Sequence, residues 1–421
     1  MKNKVLIFLF LIHLILDGYL RLVNKGTSFL NVIIFPILFI SIGYNILQNG
    51  VVLSRAIYSF LLFFLFIYIS FVFSDLIAGS GIDILENLVS VISLFLWPSL
   101  FLYFSQQRFR LESAKKLFRF IHFVGILIAL NCLIPFLFYL ANGTVVGEFV
   151  ISEGKVRSFG YLTDQVGFAL VYFFINSMYN RKILFVFVYA VAIVATGTRA
   201  AILLGAIAGL ITWFYRPRNN KGSLNRIRIN FFLGGAIIYV IFFTGFINSF
   251  LNIFDMRFNS VSVENTSTQR IAAMKSGISI FLDNPIFGIG YGNFSSTVLH
   301  KKKLLSLFDS VQNADEYQTA VFSSAQNQII DIAANGGILS LLAVIFFLYY
   351  CIKRIRLLIK FSILEDEFKI ILIYLISMLL FDQSALYLFN FGICSFLLMM
   401  FLGLANARYQ LQPVVIEESQ P

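Results

Sequence analysis

Charge is scarce in this chain. Only 13% of its 421 residues are Asp, Glu, Lys or Arg, while 59% are hydrophobic; a soluble domain carries about 25% charged residues. The shortage excludes a soluble globular protein, and apolar segments of spanning length recur throughout. Cysteine is sparse too. Cys132, Cys351 and Cys394 lie in or beside apolar segments, which suggests neither a disulfide framework nor a metal site. No small-x-small cleavage site follows the opening "MKNKVLIFLFLIHLIL"; Asp17-Gly18-Tyr19 comes next, so an uncleaved first span is expected. No convincing internal repeat and no charge at the centre of a span is found, unlike the matched halves of a transporter. No His or carboxylate cluster in the outer loops has metal-ligand spacing, so the expected site has no metal and no other cofactor.

What is present is hydrophobic length. The expected fold class is an all-α polytopic membrane protein with about twelve transmembrane helices. They fall at roughly 5–20, 29–47, 56–77, 84–104, 119–140, 161–179, 183–197, 199–215, 230–250, 328–350, 369–387 and 388–405. Residues 1–250 supply nine spans, 251–327 form one large external loop carrying short helices, and 328–421 supply three spans and a short tail. Alternate connections are basic: Arg108, Arg110, Lys115 and Lys116; Arg216, Arg218, Lys221, Arg226 and Arg228; Lys353, Arg354, Arg356 and Lys360. The intervening ones are near neutral or acidic, as at Asp83 and Glu86, although Arg21 and Lys25 fall on the opposite side. The asymmetry predicts cytoplasmic basic loops and both termini cytoplasmic. It also accounts for the net charge of +11 through topology and contact with anionic lipids, without nucleic acid.

One arginine interrupts this greasiness. The run Ile183–Tyr215 is 33 residues long, broken only by "TGTR". As one helix it would be about 50 Å long, against a hydrocarbon core of ~30 Å. Two short spans with a turn at Thr196-Gly197-Thr198 fit better. The turn then faces outward, with Arg199 at the external surface. The outer side also receives loop 141–160 with Arg157, and the long loop 251–327.

The long loop reads as folded. In "TSTQRIAAMKSGISIFLDNPIFGIGYGNF", the cap-type residues Thr266 to Thr268 precede a helix. Ile271, Met274, Ile278 and Phe281 mark an apolar face that would lie on the membrane or on the bundle, with Arg270 near the first turn. Asp283-Asn284-Pro285 stops it. Gly288, Gly290 and Gly292 then suggest a tight re-entrant turn, since no strand precedes them and no Lys-Ser/Thr follows. Lys301 to Lys303 read as a solvated or head-group-facing run.

In the next span, "SSAQNQIIDIAANGGILSLLAVIFF", Gln326, Asn327 and Asp331 occupy the first turns, where polar groups are either caps or functional. Asn327 and Asp331 share a face. Asp382 and Gln383 add polarity at similar depth near the outer end of the eleventh span, as further site residues or as glue between helices.

Three segments in order, "ATGTRAAILLGAIAGL", "QRIAAMKSGISIFLDNPIFGIGYGNF" and "AQNQIIDIAANGGILSLL", resemble the O-antigen polymerase and O-antigen ligase superfamily over about 196 to 342. That family has a TGSRG-type turn, an outer arginine helix with an "hPlfGvGlGnf" segment, and an "HNxxLxxLaexG" motif. "VRSFGYLTDQVGFAL" resembles a weaker upstream motif. Gln326 stands where the ligases carry a catalytically important histidine, while Asn327 and Gly337 stay in register.

The resemblance implies a metal-independent glycosyltransferase at the outer face of the bacterial inner membrane. Its donor is an oligosaccharide on undecaprenyl diphosphate and its acceptor a sugar hydroxyl; a chain-length regulator is a further partner. Arg199 and Arg270, with Arg157, suit the diphosphate, because guanidinium binds phosphate oxygens bidentately and stabilises the leaving group. Arg199 has the alternative of a plain interface anchor. Gln326, Asn327 and Asp331 join the two arginines as catalytic candidates, and Gly288, Gly290 and Asp382 join Arg157 as substrate-binding ones. Asp331 and His300 are candidate bases. Since glutamine is no general base, a polymerase is favoured over a ligase. A polysaccharide flippase, with about as many spans, is the competing class.

Overall fold

The computed structural model describes residues 37, 40–48, 50, 53–78, 99–142, 149–150, 155–156, 163–215, 262–291, 293–308, 325, 327–381 and 393–410. The expected spans 5–20 and 230–250, most of 84–104, and Arg157, Gln326 and Asp382 lie outside the described residues.

Within them the fold is mostly helical. Helices α1 (Arg55–Ala78), α2 (Leu111–Asn142), α3 (Thr163–Tyr179), α4 (Ile183–Ala195) and α5 (Arg199–Tyr215) lie over expected spans. Helices α6 (Ser262–Asp283), α7 (Phe294–His300) and α8 (Lys302–Leu305) occupy the long loop. Then come α9 (Gln328–Lys360), α10 (Glu365–Phe381) and α11 (Ile393–Asn406). Helices α2 and α9 are long and apolar enough to cross a membrane; α3, α4, α5, α11 and the first part of α1 are shorter apolar helices. The surface agrees. On α2, Phe123, Leu127, Leu130, Ile134 and Leu137 form an exposed stripe at three- and four-residue spacing, which suits lipid and not water. This is a membrane protein.

Lipid is as apolar as leucine, so packing rather than water exclusion holds such helices together. Small residues permit the closest contacts. A Cβ on Gly125 would stand 2.3 Å from the Phe173 ring, and one on Gly167 2.8 Å from the Ala201 Cβ. Central α3 is buried on every side from Gln165 to Phe173 and packs on α2, α4, α5, α10 and α11. Helix α1 lies along α9, where Phe60, Phe101 and Phe347 meet with ring centroids 4.8 to 5.3 Å apart. Two short strand pairs interrupt the all-α expectation: β1 (Arg108–Arg110) runs parallel to β4 (Arg408–Gln410), and β2 (Phe149–Val150) antiparallel to β3 (Lys155–Val156).

Chain direction defines two ends. Helix α9 leads through four residues into α10, whose Asp366 accepts a hydrogen bond from Tyr179 at the end of α3. The beginning of α3, the α4–α5 turn and the beginning of α9 therefore share the opposite end. Helix α6 packs on α9 at that end.

Candidate functional site

The site end begins with the turn the apolar run required. Gly197 has φ of +67°, where a side chain would cost about 1–2 kcal/mol. The Thr196 and Gly197 N–H groups donate back to Ala192 and Val194, and the Thr198 carbonyl accepts from Ile202 to open α5. Arg199 is thus the first residue of α5, as expected. Close passage of α3 at Gly167, where an added Cβ would stand 3.0 Å from the Thr196 Oγ1, seats the turn on the bundle.

The described part of the long loop has its own small core. Ala272, Ala273, Ile280, Ile289, Phe294, Val298 and Leu304 cluster with Ala325 and Ala334. One expectation about α6 needs correction. The helix starts at Ser262 and runs through Thr266 to Thr268, which are helical and not caps. The expected apolar face is not the packed one: Ile271 and Ile278 are exposed, Met274 and Phe281 half-buried, whereas Ala272, Ala273, Ser276, Gly277 and Ile280 are buried. Small residues win because α6 must approach α9 closely; a Cβ on Gly277 would stand 2.6 Å from both Ala325 and Ile330. The large residues Ile271 and Ile278 face outward with Leu282, away from the bundle. Arg270 is exposed on this helix, seven residues before the Gly277 contact, or about 10 Å along the axis.

Asp283 ends α6 as expected, and the glycine segment that follows turns back onto α9. Helix α9 is broken at Gly337, whose φ of 65° and ψ of −170° are not helical. A break orphans carbonyls and an N–H. Here the glycine segment supplies the partners: Ile289 and Gly290 donate to the carbonyls of Ala334 and Asn335 at 3.0 and 2.9 Å, and Ile338 donates to Pro285 at 2.8 Å. Ser70 of α1 adds a bond of 2.6 Å to the Asn335 carbonyl. Gly288 and Gly290, at φ of +68° and +82°, thus lock a helix break. Their amides go to Asn284 and Asn335 and are not aimed at a ligand.

Asn327 caps α9, its Oδ1 accepting from Ile329 and Ile330, both at 3.1 Å. The cap reading of this residue is therefore realised, which leaves its NH₂ as donor. Asp331 is 1% exposed. One carboxylate oxygen accepts from the Ala325 N–H at 2.8 Å; the other has no hydrogen-bond partner among the described residues. Gln328 and Asn335 are also buried and share Asp331's face, at three- and four-residue spacing. Neither was singled out from sequence, although that spacing within a span was the available signal. Tyr291 stands nearby. Burial first, and the Asp331 charge second, hold its phenol well above the ordinary range, so it is a neutral donor.

The described geometry thus brings Asn327, Asp331, Gln328, Asn335 and Tyr291 together around the top of α9. Arg270 lies on the helix packed beside them, and the start of α5 lies at the same end. Residues 184–345 match the family model described as O-antigen ligase. The matched stretch runs from α4 into the middle of α9 and includes Arg199, Arg270, Gly288, Gly290, Gln326, Asn327 and Asp331, with Arg157 and Asp382 outside it. No curated protein matches the chain. Residues 184–345, under half of the chain, are thus similar to the O-antigen ligase family, which is consistent with the polymerase and ligase superfamily that the ordered motifs resemble.

Proposed function

We propose that this protein is an O-antigen, or related surface-polysaccharide, polymerase of the inner membrane. It joins oligosaccharide repeat units carried on undecaprenyl diphosphate. The observation that carries this reading is Gln326: it stands inside the family-matched stretch where the ligases have a histidine, directly before the capped start of α9. A glutamine orients a hydroxyl but does not take its proton.

In the proposed reaction the acceptor sugar hydroxyl attacks the donor's anomeric carbon. The bond from that carbon to the diphosphate oxygen breaks, and the lipid diphosphate leaves. Arg199 and Arg270, with Arg157, hold the diphosphate and stabilise the charge it gains, which is electrostatic catalysis independent of metal. Asp331 takes the acceptor proton through its unpartnered oxygen, as its burial beside Gln328 and Asn335 supports; His300 is the other candidate. The Asn327 amide and Gln326 orient the acceptor. Gly288 and Gly290 act by positioning α9, and Asp382 contacts the sugar. Twelve spans, cytoplasmic termini and an external 251–327 loop complete the scheme, with a chain-length regulator as partner.

Ligase activity, transferring finished polymer to lipid A core, is the second reading, favoured by the description of the matched family. In-frame deletion separates the readings on a gel of surface polysaccharide. Single-repeat caps on the lipid core are expected; lipid-linked polymer left unattached would mean a ligase. Cytoplasmic accumulation of single units would mean a flippase.

A further inference from the structure

At the far end of the bundle from this site, a cavity of about 330 Å³ opens between α2, α3, the α3–α4 connection and α10. That is the lower end of the ~300–1,000 Å³ typical of ligand pockets. Lys115 and Arg119 enter it from the first turns of α2, and Lys182 from the α3–α4 connection. Asp366 and Glu367 enter from the first turn of α10. Opposite charges so placed ordinarily close on each other, as Lys369 does on Glu365 one turn away. Here no ion pair among the described residues joins any of the three cations to either carboxylate. Asp366 is instead oriented by the Tyr179 hydroxyl at 3.0 Å.

His122 sharpens the picture. Asn180 donates to the Asn176 Oδ1, which leaves the Asn176 NH₂ facing His122 Nδ1 at 3.4 Å. His122 Nδ1 therefore accepts, and its Nε2 carries the proton. His122 lines the cavity, and its Nε2 is buried with no partner among the described residues. The cavity presents three cations to an anion, with two carboxylates placed for a cation.

We propose that this cavity binds the head group of a zwitterionic phospholipid: a phosphate ester with a primary ammonium two carbons away, as in phosphatidylethanolamine. The phosphate meets Lys115, Arg119 and Lys182 in charge-assisted hydrogen bonds. The ammonium meets Asp366 and Glu367. Pockets between helices at the membrane surface are suited to head groups, and a purely anionic lipid would leave the carboxylates unanswered. The lipid source follows from α2 itself, because His122 is followed at once by the exposed stripe Phe123, Leu127, Leu130 and Ile134, along which acyl chains lie. The proposal rests on the membrane character of the fold and not on the polymerase reading. Its readout is bound lipid, so the two fail separately.

The test is native mass spectrometry of the full chain released from nanodiscs holding equal parts phosphatidylethanolamine, phosphatidylglycerol and phosphatidylcholine. Preferential retention of phosphatidylethanolamine is expected. It should fall roughly tenfold in Lys115→Gln/Arg119→Gln and equally in Asp366→Asn/Glu367→Gln, the effect of losing charge-assisted bonds. Lys182→Arg, which keeps the charge, should retain the lipid. These side chains line an open surface cavity, and a monodisperse elution profile checks that each variant is folded. Equal retention of all three lipids, or retention unchanged in either double variant, would overturn the proposal. Loss in the cation variant alone would make the cavity an anion site instead. Soluble phosphoethanolamine should bind delipidated protein more than tenfold more weakly, because it lacks the buried chains; equal affinity would remove the lipid from the assignment.

Discussion

Two glycine-dependent reversals stand at the same end of this bundle, and they differ in how they are held. The Thr196–Thr198 turn closes on itself: its bonds run to Ala192, Val194 and Ile202, all within a few residues. The Asp283–Gly290 reversal is held from a distance, through Ala334, Asn335 and Ile338 of a broken α9, with Ser70 of α1 on the same carbonyl. A local turn tolerates imperfection because its neighbours adjust. A long-range clamp at a helix break does not, because both sides are backbone. The second therefore fixes where Asp331, Gln328 and Asn335 stand.

Substitutions break this comparison in order of expected effect. Gly337→Ala comes first. Its Cβ would stand 2.1 Å from the Ile286 carbonyl oxygen, at a φ of +65°. Overpacking and the left-handed backbone together predict a loss of about 3–5 kcal/mol, read as loss of the monodisperse folded protein and of polymer. Next come Arg199→Lys and Arg270→Lys, which should leave the fold intact. Lysine keeps the charge but loses the planar fork, and one missing transition-state donor costs about 3–4 kcal/mol, or a few hundredfold to about a thousandfold in rate. Long chains should vanish from the gel at normal protein level; wild-type polymer from both variants would make Arg199 an interface anchor.

Gly197→Ala is third. Its left-handed backbone, at a φ of +67°, should cost about 1–2 kcal/mol and lower thermal stability while polymer still forms. If Gly197→Ala proved as damaging as Gly337→Ala, the distinction between local and distant closure would fail. Replacing Lys301, Lys302 and Lys303 together by alanine should matter least. Lys301 pairs with Asp283 at 2.9 Å, but both side chains are about half exposed, and such surface pairs contribute ~0–1 kcal/mol. Complete loss of polymer from that variant would place the run in the site.

The same contrast explains what was legible in the sequence. The α4–α5 hairpin was readable because length alone decided it: 183–215 is too long for one span, and the only turn chemistry lies at its middle. The stop of α6 at Asp283 was readable for the same local reason. The packed face of α6 was not. Hydrophobic spacing points to Ile271 and Ile278, yet in a bilayer the large apolar residues satisfy lipid and the small ones satisfy the neighbouring helix. The break at Gly337 was invisible for a further reason. "ANGGILSLL" reads as continuous helix, and the partners that make the break affordable lie some fifty residues earlier in "NPIFGIG". Of the candidate site, the types and order of residues were legible. The placing of Gln328 and Asn335 beside Asp331, and the use of the Asn327 side chain as a cap, needed the fold.

The most direct test of the central claim uses purified protein in liposomes supplied only with undecaprenyl-diphosphate-linked repeat units. A polymerase needs no other acceptor, so a ladder of lipid-linked chains should appear, and Arg199→Lys should suppress it. No product from the donor alone, with transfer beginning when lipid A core is added, would contradict the account and make this chain a ligase.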